Sequence, residues 1–390
     1  MIDVAVIGVG QTRYGMFPGR TLKDLFYEAS REALDDVDKG LDPNDIDEAF
    51  VGTLSTGGAQ LGNFAPLMME AAGMVGVGAR HVENACASSG FAMRDAVSAI
   101  SSGSADIAVA AGVEKMSDLP RERNRLWLGI SGDVEWERLA GTNFAGIYAM
   151  MARRHMFEYG TKISHIKMVA VKNRQNALEN PKAQFRSAFT MEQATKSPNL
   201  ASPLDFSDAC GITDGASMVI LARADLARSF TDQPVLVVGS GVGSDYVAIH
   251  DRTSLTKLQG AVDASVKAYE MAGIRPEDID FAEVHDCFAI AELLSYEDLG
   301  FCDRGKSGIY LESGITQRDG KRPINNSGGL IAKGHPIGST GTGQICEVVN
   351  QLRGRADTSA RQLANVGYGL THNVGGSGAA VAVHIFKAME

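Results

Sequence analysis

The same order of strand-like and helix-like segments runs through this chain twice. A chain written that way folds as two related α/β halves rather than around one continuous core. Val4-Ala5-Val6-Ile7 is a short apolar run ending at Gly8 and Gly10, and Val235-Leu236-Val237-Val238 is another, ending at Gly239 and Gly241. Each reads as a buried strand bounded by glycine. A helical pattern follows both. In the first, Thr21 and Asp24 have capping-box spacing, and Leu22, Leu25, Phe26, Ala29 and Ala33 fall on one face. In the second, Leu258, Val262, Val266 and Tyr269 do the same. The clearest echo is Asp45 to Gly52 against Asp278 to His285. Glycine-rich turns then feed helices over 86–103 and 334–354. Each half ends in a predicted strand pair, 107–112 with 218–222 and 363–367 with 379–385. This alternation predicts layered α/β halves at 1–230 and 231–390.

Only the first half is interrupted. Residues 118–200 have no counterpart in the second half, and over 121–196 they carry 13 Lys+Arg against seven Asp+Glu. That is a local balance of +6 in a chain of net charge -10. A solvated surface insertion accounts for this. So does a lid offering cations to an anionic ligand, with Arg121, Arg123, Arg125, Arg153, Arg154, Lys172 and Arg174 as candidates. The acidic total argues against nucleic acid as a partner. No apolar run approaches the roughly 18 residues of a membrane span. The opening residues lack a secretory signal's basic region. Five cysteines without a CxxC pair fit neither a disulfide framework nor a zinc knuckle, so no metal and a reducing, cytoplasmic setting are expected.

Chemistry concentrates in four segments. Glu83-Asn84-Ala85-Cys86-Ala87-Ser88-Ser89-Gly90 places a cysteine just ahead of a helix, where backbone N–H groups and the dipole favour a thiolate. A packed cysteine at a tight turn is the alternative. Val284-His285-Asp286-Cys287-Phe288 ends a strand-like run. Asn325 to Gly338 is glycine-dense but lacks the order of a phosphate loop. Aligning the halves through Gly90 and Gly341 sets His335 opposite Asn84, two residues before Cys86, so helix starts meeting at a pseudo-twofold axis bring Cys86 and His335 together. His372-Asn373-Val374-Gly375-Gly376-Ser377-Gly378 has the flexible backbone to offer N–H donors to an oxyanion.

ACASSG, HDCF, GGLIAKGHPIGSTG and HNVGGSG, in this order and spacing, resemble the thiolase superfamily over essentially the whole chain. The resemblance implies a duplicated, five-layered α/β/α/β/α fold with a loop domain in the first half. His285-Asp286-Cys287-Phe288 stands where many thiolases have Asn-Glu-Ala-Phe, and HNVGGSG lacks their second cysteine. This is the pattern of sterol-carrier-protein-type and archaeal acetoacetyl-CoA thiolases. It implies reversible condensation of two acetyl-CoA to acetoacetyl-CoA, with coenzyme A as substrate and no further cofactor. Cys86 is then the acylated nucleophile and His335 its activator. Cys287 is the acid/base, with His372 as the alternative. His285 and His335 form one oxyanion hole, and the N–H groups of Cys86 and Gly378 form the other. Cys210, Cys302 and Cys346 have no motif support and are expected to be structural.

The resemblance also implies a homodimer or homotetramer. Relatives assemble with a hydroxymethylglutaryl-CoA synthase and a small zinc-ribbon/OB-fold protein, so that complex is an expected partner set. The rival readings are a ketoacyl-synthase-like condensing enzyme, which needs no second active-site cysteine, and a non-catalytic scaffold subunit, which has no use for Cys86.

Overall fold

The computed structural model describes residues 2–389. Its strands, in chain order, are β1 (Val4–Gln11), β2 (Glu48–Gly52), β3 (Gly78–Val82), β4 (Ile107–Glu114), β5 (Asn199–Ala201), β6 (Leu204–Asp205), β7 (Gly215–Arg223), β8 (Val235–Ser244), β9 (Phe281–Glu283), β10 (Tyr368–Gly375) and β11 (Ala380–Ala388). Nine of them form one sheet in the order β3-β2-β4-β7-β1-β8-β11-β10-β9, and β5 with β6 makes a separate ribbon. Read outward from the middle, the two sides match: β1 with β8, β7 with β11, β4 with β10, β2 with β9. Where the first half has β3, the second has a single parallel bridge from Ile324 to Ala282.

Within the sheet the halves join through the short β1–β8 ladder, Ala5 with Leu236 and Val6 with Val235. Their inner faces close on the same two helices, Ser88–Ser101 and Thr340–Leu352. Side chains alternate along each strand to make this possible. On β4, Ile107, Val109, Ala111 and Val113 face an outer core, whereas Ala108 and Ala110 face the central helices. The central core takes Val219 and Leu221 from one half and Phe281 and Phe386 from the other, around Met93 and Val348. Helices Leu22–Asp35 and Phe64–Ala71 cover the first half; Gln259–Ala272 and Ala289–Asp298 cover the second. The result is the expected five layers. One device recurs in both halves. A Cβ on Gly10 would lie 2.2 Å from the Ala29 carbonyl oxygen, and one on Gly241 would lie 2.1 Å from that of Ala264. Glycine there lets each outer helix press onto its strand.

One expected strand is displaced. Residues 363–367 lie outside the sheet, and the strand is β10, at 368–375. Eight consecutive pairs with β11 fix its register, and its polar residues are supported from behind, as by Gln344 donating to the His372 carbonyl at 3.1 Å.

The insertion comprises helices Arg121–Gly129, Phe144–Tyr159, Ile163–Ala177 and Met191–Thr195 with the β5–β6 ribbon. It leaves and re-enters the first half, yet its buried Ile147, Tyr148, Met151, Ile166 and Val169 join the outer core of the second half. Among the described residues none joins the first half's outer core. Among the described residues no helix is long and apolar enough to cross a membrane.

Candidate active site

The central helices touch where the sequence alignment placed their common point. A Cβ on Gly341 would sit 2.4 Å from the Gly90 nitrogen, and Thr342 N–H donates to Ser89 Oγ at 3.1 Å. Ahead of the first helix the chain turns sharply. Ala87 N–H donates to the Asn84 carbonyl at 3.0 Å, and Ser88 Oγ accepts from Asn84 N–H at 3.0 Å. Ala85 takes the left-handed region at φ 51, unusual for a residue with a side chain. This strained turn holds Cys86 half-buried at the site, and Asn373 Nδ2 donates to its carbonyl at 2.9 Å.

Cys86, His285 and His335 converge, the sulfur and one nitrogen of each ring lying within 4.8 Å of one another. The two rings meet edge to face with centroids 5.1 Å apart. Hydrogen bonds behind the rings fix their tautomers. Thr340 Oγ1 donates to the Pro336 carbonyl at 2.9 Å, so at 2.7 Å from His335 Nδ1 it accepts. His335 therefore carries its proton on Nδ1 and offers a lone pair on Nε2. His285 is the reverse. Its Nδ1 accepts from Val374 N–H at 3.3 Å, leaving the proton on Nε2, which has no partner among the described residues. One ring is a proton acceptor and the other a donor. Three such atoms also suit a metal ion, but the protonated His285 Nε2 fits donation to an oxyanion better than ligation.

Burial dominates the electrostatics. It pushes the Cys86 thiol up to about 12, against the pull of the N–H groups of Gly376 and of Cys86 itself. The expectation of a resting thiolate does not hold: the helix begins at Ser88 with Ala87 as its cap, so Cys86 lies outside the first turn and desolvation wins. A base must take its proton. Burial holds His335 down to about 3, and burial with the neighbouring His335 and His372 holds His285 well below its ordinary value. Both rings rest neutral.

Cys287 is buried, and burial raises its thiol far above the usual range, with the Tyr148 hydroxyl of the insertion pulling the other way. The loop bearing His285 and Cys287 rests on a buried network. Asp286 accepts from Leu330 N–H at 2.6 Å and Asn173 Nδ2 at 2.7 Å, and Glu292 accepts from Asn173 Nδ2 at 2.6 Å and Asn325 Nδ2 at 2.7 Å. His372 lies beside His285 rather than in the triplet with Cys86. Its strand neighbours Leu370 and Val374 face the outer core, and neither ring nitrogen has a partner among the described residues.

Two expectations are corrected. The Gly378 N–H is bonded to the Gly375 carbonyl at 3.1 Å, and the glycine amide facing the Cys86 sulfur belongs to Gly376. Lys172 is not a free cation, because it is buried and paired with Glu292 at 2.9 Å. Of the other cations, Arg174 stacks on Phe185 at 4.3 Å, Arg153 donates to the Ser202 carbonyl and hydroxyl at 2.9 and 2.8 Å, and Arg154 pairs with Glu158 at 2.7 Å. Arg121, Arg123 and Arg125 face solvent on a helix whose Trp127 and Leu128 pack in the apolar cluster beside Cys86.

Three neighbours escaped the sequence reading. Tyr148 reaches in from the insertion. Cys210 donates its N–H to the Cys287 carbonyl at 3.0 Å, and its thiol lies near Cys86 and Cys287. Glu114 gathers the N–H groups of Leu54, Thr56 and Gly338 at 2.9, 2.8 and 3.0 Å, tying the loop after His335 to the loop that follows β2. Only a family motif pattern around each would have signalled these.

A cysteine flanked by an acceptor histidine and a donor histidine, at the crossing of two duplicated α/β halves, defines a thiol-based acyltransferase. The chain belongs to the thiolase family: the N-terminal thiolase domain matches residues 2–225 and the thiolase C-terminal domain-like family matches 241–388. It is 45% identical to an acetyl-CoA acetyltransferase of Methanothermobacter thermautotrophicus over 99% of this chain and 100% of that protein. It is 32% identical to sterol carrier protein 2 of Oryctolagus cuniculus over 98% of this chain and 72% of that protein. A solved structure, the Ltp2-ChsH2(DUF35) aldolase, superposes with a TM-score of 0.86 at 26% identity, covering 99% of this chain and 98% of the other.

Proposed function

We propose that this thiolase condenses two molecules of acetyl-CoA to acetoacetyl-CoA and free CoA, and runs the reverse thiolysis through the same groups. The observation that carries this is the matched pair of tautomers around Cys86, one ring ready to accept a proton and the other to donate a hydrogen bond.

His335 Nε2 takes the Cys86 proton, and the thiolate attacks the thioester carbonyl, whose oxygen turns toward the N–H groups of Cys86 and Gly376. CoA leaves as a thiolate and receives that proton back from His335. A proton then passes from Cys287 to His335, leaving a thiolate base beside an imidazolium. Cys287 removes a proton from the methyl carbon of the second acetyl-CoA. The enolate oxygen is held by Nε2–H of His285 and, while it is protonated, of His335. The enolate carbon attacks acetyl-Cys86, the expelled Cys86 thiolate regains its proton from His335, and every group is restored.

The experiment is loss of acetoacetyl-CoA enolate absorbance on adding CoA, with wild type, Cys86→Ser, Cys287→Ala and His372→Ala. Cys86→Ser is expected to cost more than about 10⁴-fold and Cys287→Ala about 10²- to 10⁴-fold. His372→Ala is expected to stay near wild type; the reverse ranking would make His372 the base. A wild type that consumes no acetoacetyl-CoA overturns the reading.

CoA is proposed as substrate, with Arg121, Arg123 and Arg125 nearest its phosphates. A homo-oligomer is proposed through β3, which pairs on one side only. A complex with a hydroxymethylglutaryl-CoA synthase and a small zinc-ribbon/OB-fold protein is also proposed. The DUF35 in the solved relative's name supports a partner protein.

A further inference from the structure

We propose that Lys172 and Asn173 of the inserted domain are positioning residues for the enolate-forming side of the site, where they set the loop that carries His285 and Cys287. This rests on the reading of Cys287 as the acid/base and His285 as a donor to the enolate oxygen.

The loop is held at each of its residues. Val284 N–H donates to Asn325 Oδ1 at 2.8 Å, and His285 Nδ1 accepts from Val374 N–H at 3.3 Å. Asp286 accepts from Leu330 N–H and Asn173 Nδ2, and the Cys287 carbonyl accepts from Cys210 N–H at 3.0 Å. Two of these holds hang from one carboxylate. Glu292 Oε2 accepts from Asn173 Nδ2 at 2.6 Å and from Asn325 Nδ2 at 2.7 Å, so it steadies the loop on both sides of His285. Asn325 keeps a left-handed backbone there, at φ 57. Lys172, Asn173, Asp286, Glu292 and Asn325 are all buried, and a buried polar network fixes its members only when every one is satisfied.

Lys172 governs this hub. An ammonium has three N–H groups and no acceptor. All three are used, on Glu292 Oε1 at 2.9 Å, Asn173 Oδ1 at 2.6 Å and the Ile324 carbonyl at 2.7 Å. Because Lys172 only donates, Asn173 turns its Oδ1 toward it. The amide nitrogen is left to serve both carboxylates, one N–H each. Without Lys172 nothing fixes that amide, and Glu292 becomes a buried anion lacking its counter-ion. Without Asn173 the two carboxylates lose the donor they share. Both residues sit on the insertion helix Ile163–Ala177, whose Ile166 and Val169 pack in the second half's outer core, so docking the insertion also sets the loop. The nucleophile's side is held separately, Cys86 through Asn373 and His335 through Thr340 and Thr213. Among the described residues, Lys172, Asn173 and Glu292 bond neither Cys86 nor His335.

The test uses full-length wild type, Asn173→Leu, Lys172→Met, Cys287→Ala and, as a control, Lys167→Met. Lys167 is a buried lysine of the same helix, paired with Asp205 at 2.6 Å and with Asp208, and its bonds do not reach this loop. Two half-reactions are followed. Transfer of labelled CoA into acetyl-CoA needs Cys86 and His335; exchange of the acetyl-CoA methyl hydrogens for deuterium needs the base and the donors to the enolate oxygen. Asn173→Leu and Lys172→Met are expected to keep label transfer, which also shows an intact fold, while their deuterium exchange falls about ten- to a hundredfold. A merely structural role moves both half-reactions together, and that is the expectation for Lys167→Met. If Lys172→Met does not fold, Asn173→Leu, one neutral side chain for another of similar size, still reads the split. If Cys287→Ala loses exchange while Asn173→Leu exchanges as wild type, the proposal is overturned and Cys287 stands as the base. If Cys287→Ala exchanges as wild type, the base assignment falls and this proposal falls with it. Equal loss of both half-reactions in Asn173→Leu would make the network merely structural and overturn the proposal.

Discussion

The two central helices start at equivalent places and are put to different use. Ahead of Ser88–Ser101 the chain turns within four residues, and Ala85 at φ 51 absorbs the strain that presents Cys86. Ahead of Thr340–Leu352 the approach is longer, through Gly334 at φ 116, and His335 is held from behind by Thr340. The second loop is pinned by the first half, since Gly338 N–H donates to Glu114 at 3.0 Å. The buried titratable groups differ too. The second half packs His285, His335, His372 and His384 inside, all kept neutral by burial. Of the two outer cores, the insertion's buried apolar residues join only that half's among the described residues. Duplication supplied two helix starts facing one axis; divergence made one the nucleophile's turn and the other the base's, and sealed the half that carries the histidines.

The sharpest way to break this comparison is at the crossing point. Alanine in a helix ordinarily stabilises relative to glycine by up to about 1 kcal/mol. At Gly341 the new Cβ would meet Gly90 N at 2.4 Å and Asn373 Oδ1 at 2.5 Å. Gly341→Ala should therefore destabilise by about 1–3 kcal/mol. It should also cut kcat up to about a hundredfold by parting Cys86 from His335. At Gly146, in the insertion helix, the nearest atom is Asn143 Oδ1 at 3.9 Å, so Gly146→Ala should stabilise or be neutral. Denaturant unfolding of both variants reads the sign. Equal effects would mean the helices do not meet closely at Gly341.

A smaller effect separates the halves by pH. Burial holds His372 down to about 3 from an ordinary 6.5. Between those values the unfolded chain binds a proton that the folded chain refuses, so stability falls as pH drops through that window and is unaffected above it. His372→Leu removes the titration and suits the neighbouring Leu370 and Val374. Its unfolding free energy should gain on wild type below pH 6.5 by up to about 1.4 kcal/mol per pH unit. Unfolding at pH 7 and pH 5 checks this. A gap that does not widen would mean that His372 is already protonated or hydrated in the folded state.

What the sequence revealed and what it hid follow the same division. The repeated strand–glycine–helix order was legible because alternating burial and helical periodicity are local signals, and Gly90 with Gly341 aligned the halves correctly enough to bring Cys86 to His335. Tyr148 was invisible because its partners lie far along the chain and are set by how the insertion docks, and Cys210 was read only as a structural thiol because its partner Cys287 is distant in sequence. Lys172 was misread because a charge count cannot tell a solvated lysine from one buried against Glu292. The strand at 368–375 was missed because His372, Asn373 and Gly375 look like turn residues; pairing along β11 and support from the central helices override that propensity. The thiolate expectation failed for a related reason, since proximity to a helix start is readable and desolvation is not.

The smallest effect concerns the insertion's outer cations. Arg121, Arg123 and Arg125 face solvent and form no ion pair among the described residues, although Arg121 lies 5.6 Å from the Phe206 ring centroid. Their helix also contributes Trp127 and Leu128 to the apolar cluster at Cys86, so the proposed anionic ligand, with its reactive end at Cys86, would pass beside them. Exposed charges act through a screened field, with a Debye length near 10 Å at about 0.1 M salt. Replacing all three with Gln should therefore raise KM for CoA only several-fold, on the order of 1 kcal/mol in total, with kcat and stability little changed. The increase should shrink as salt is raised to about 0.5 M. The same change at Arg153 and Arg154, already held by Ser202 and Glu158, should move KM less. A salt-independent rise would mean that these arginines pack the wall rather than attract the ligand, making the insertion a cover for the second half with no electrostatic share in binding.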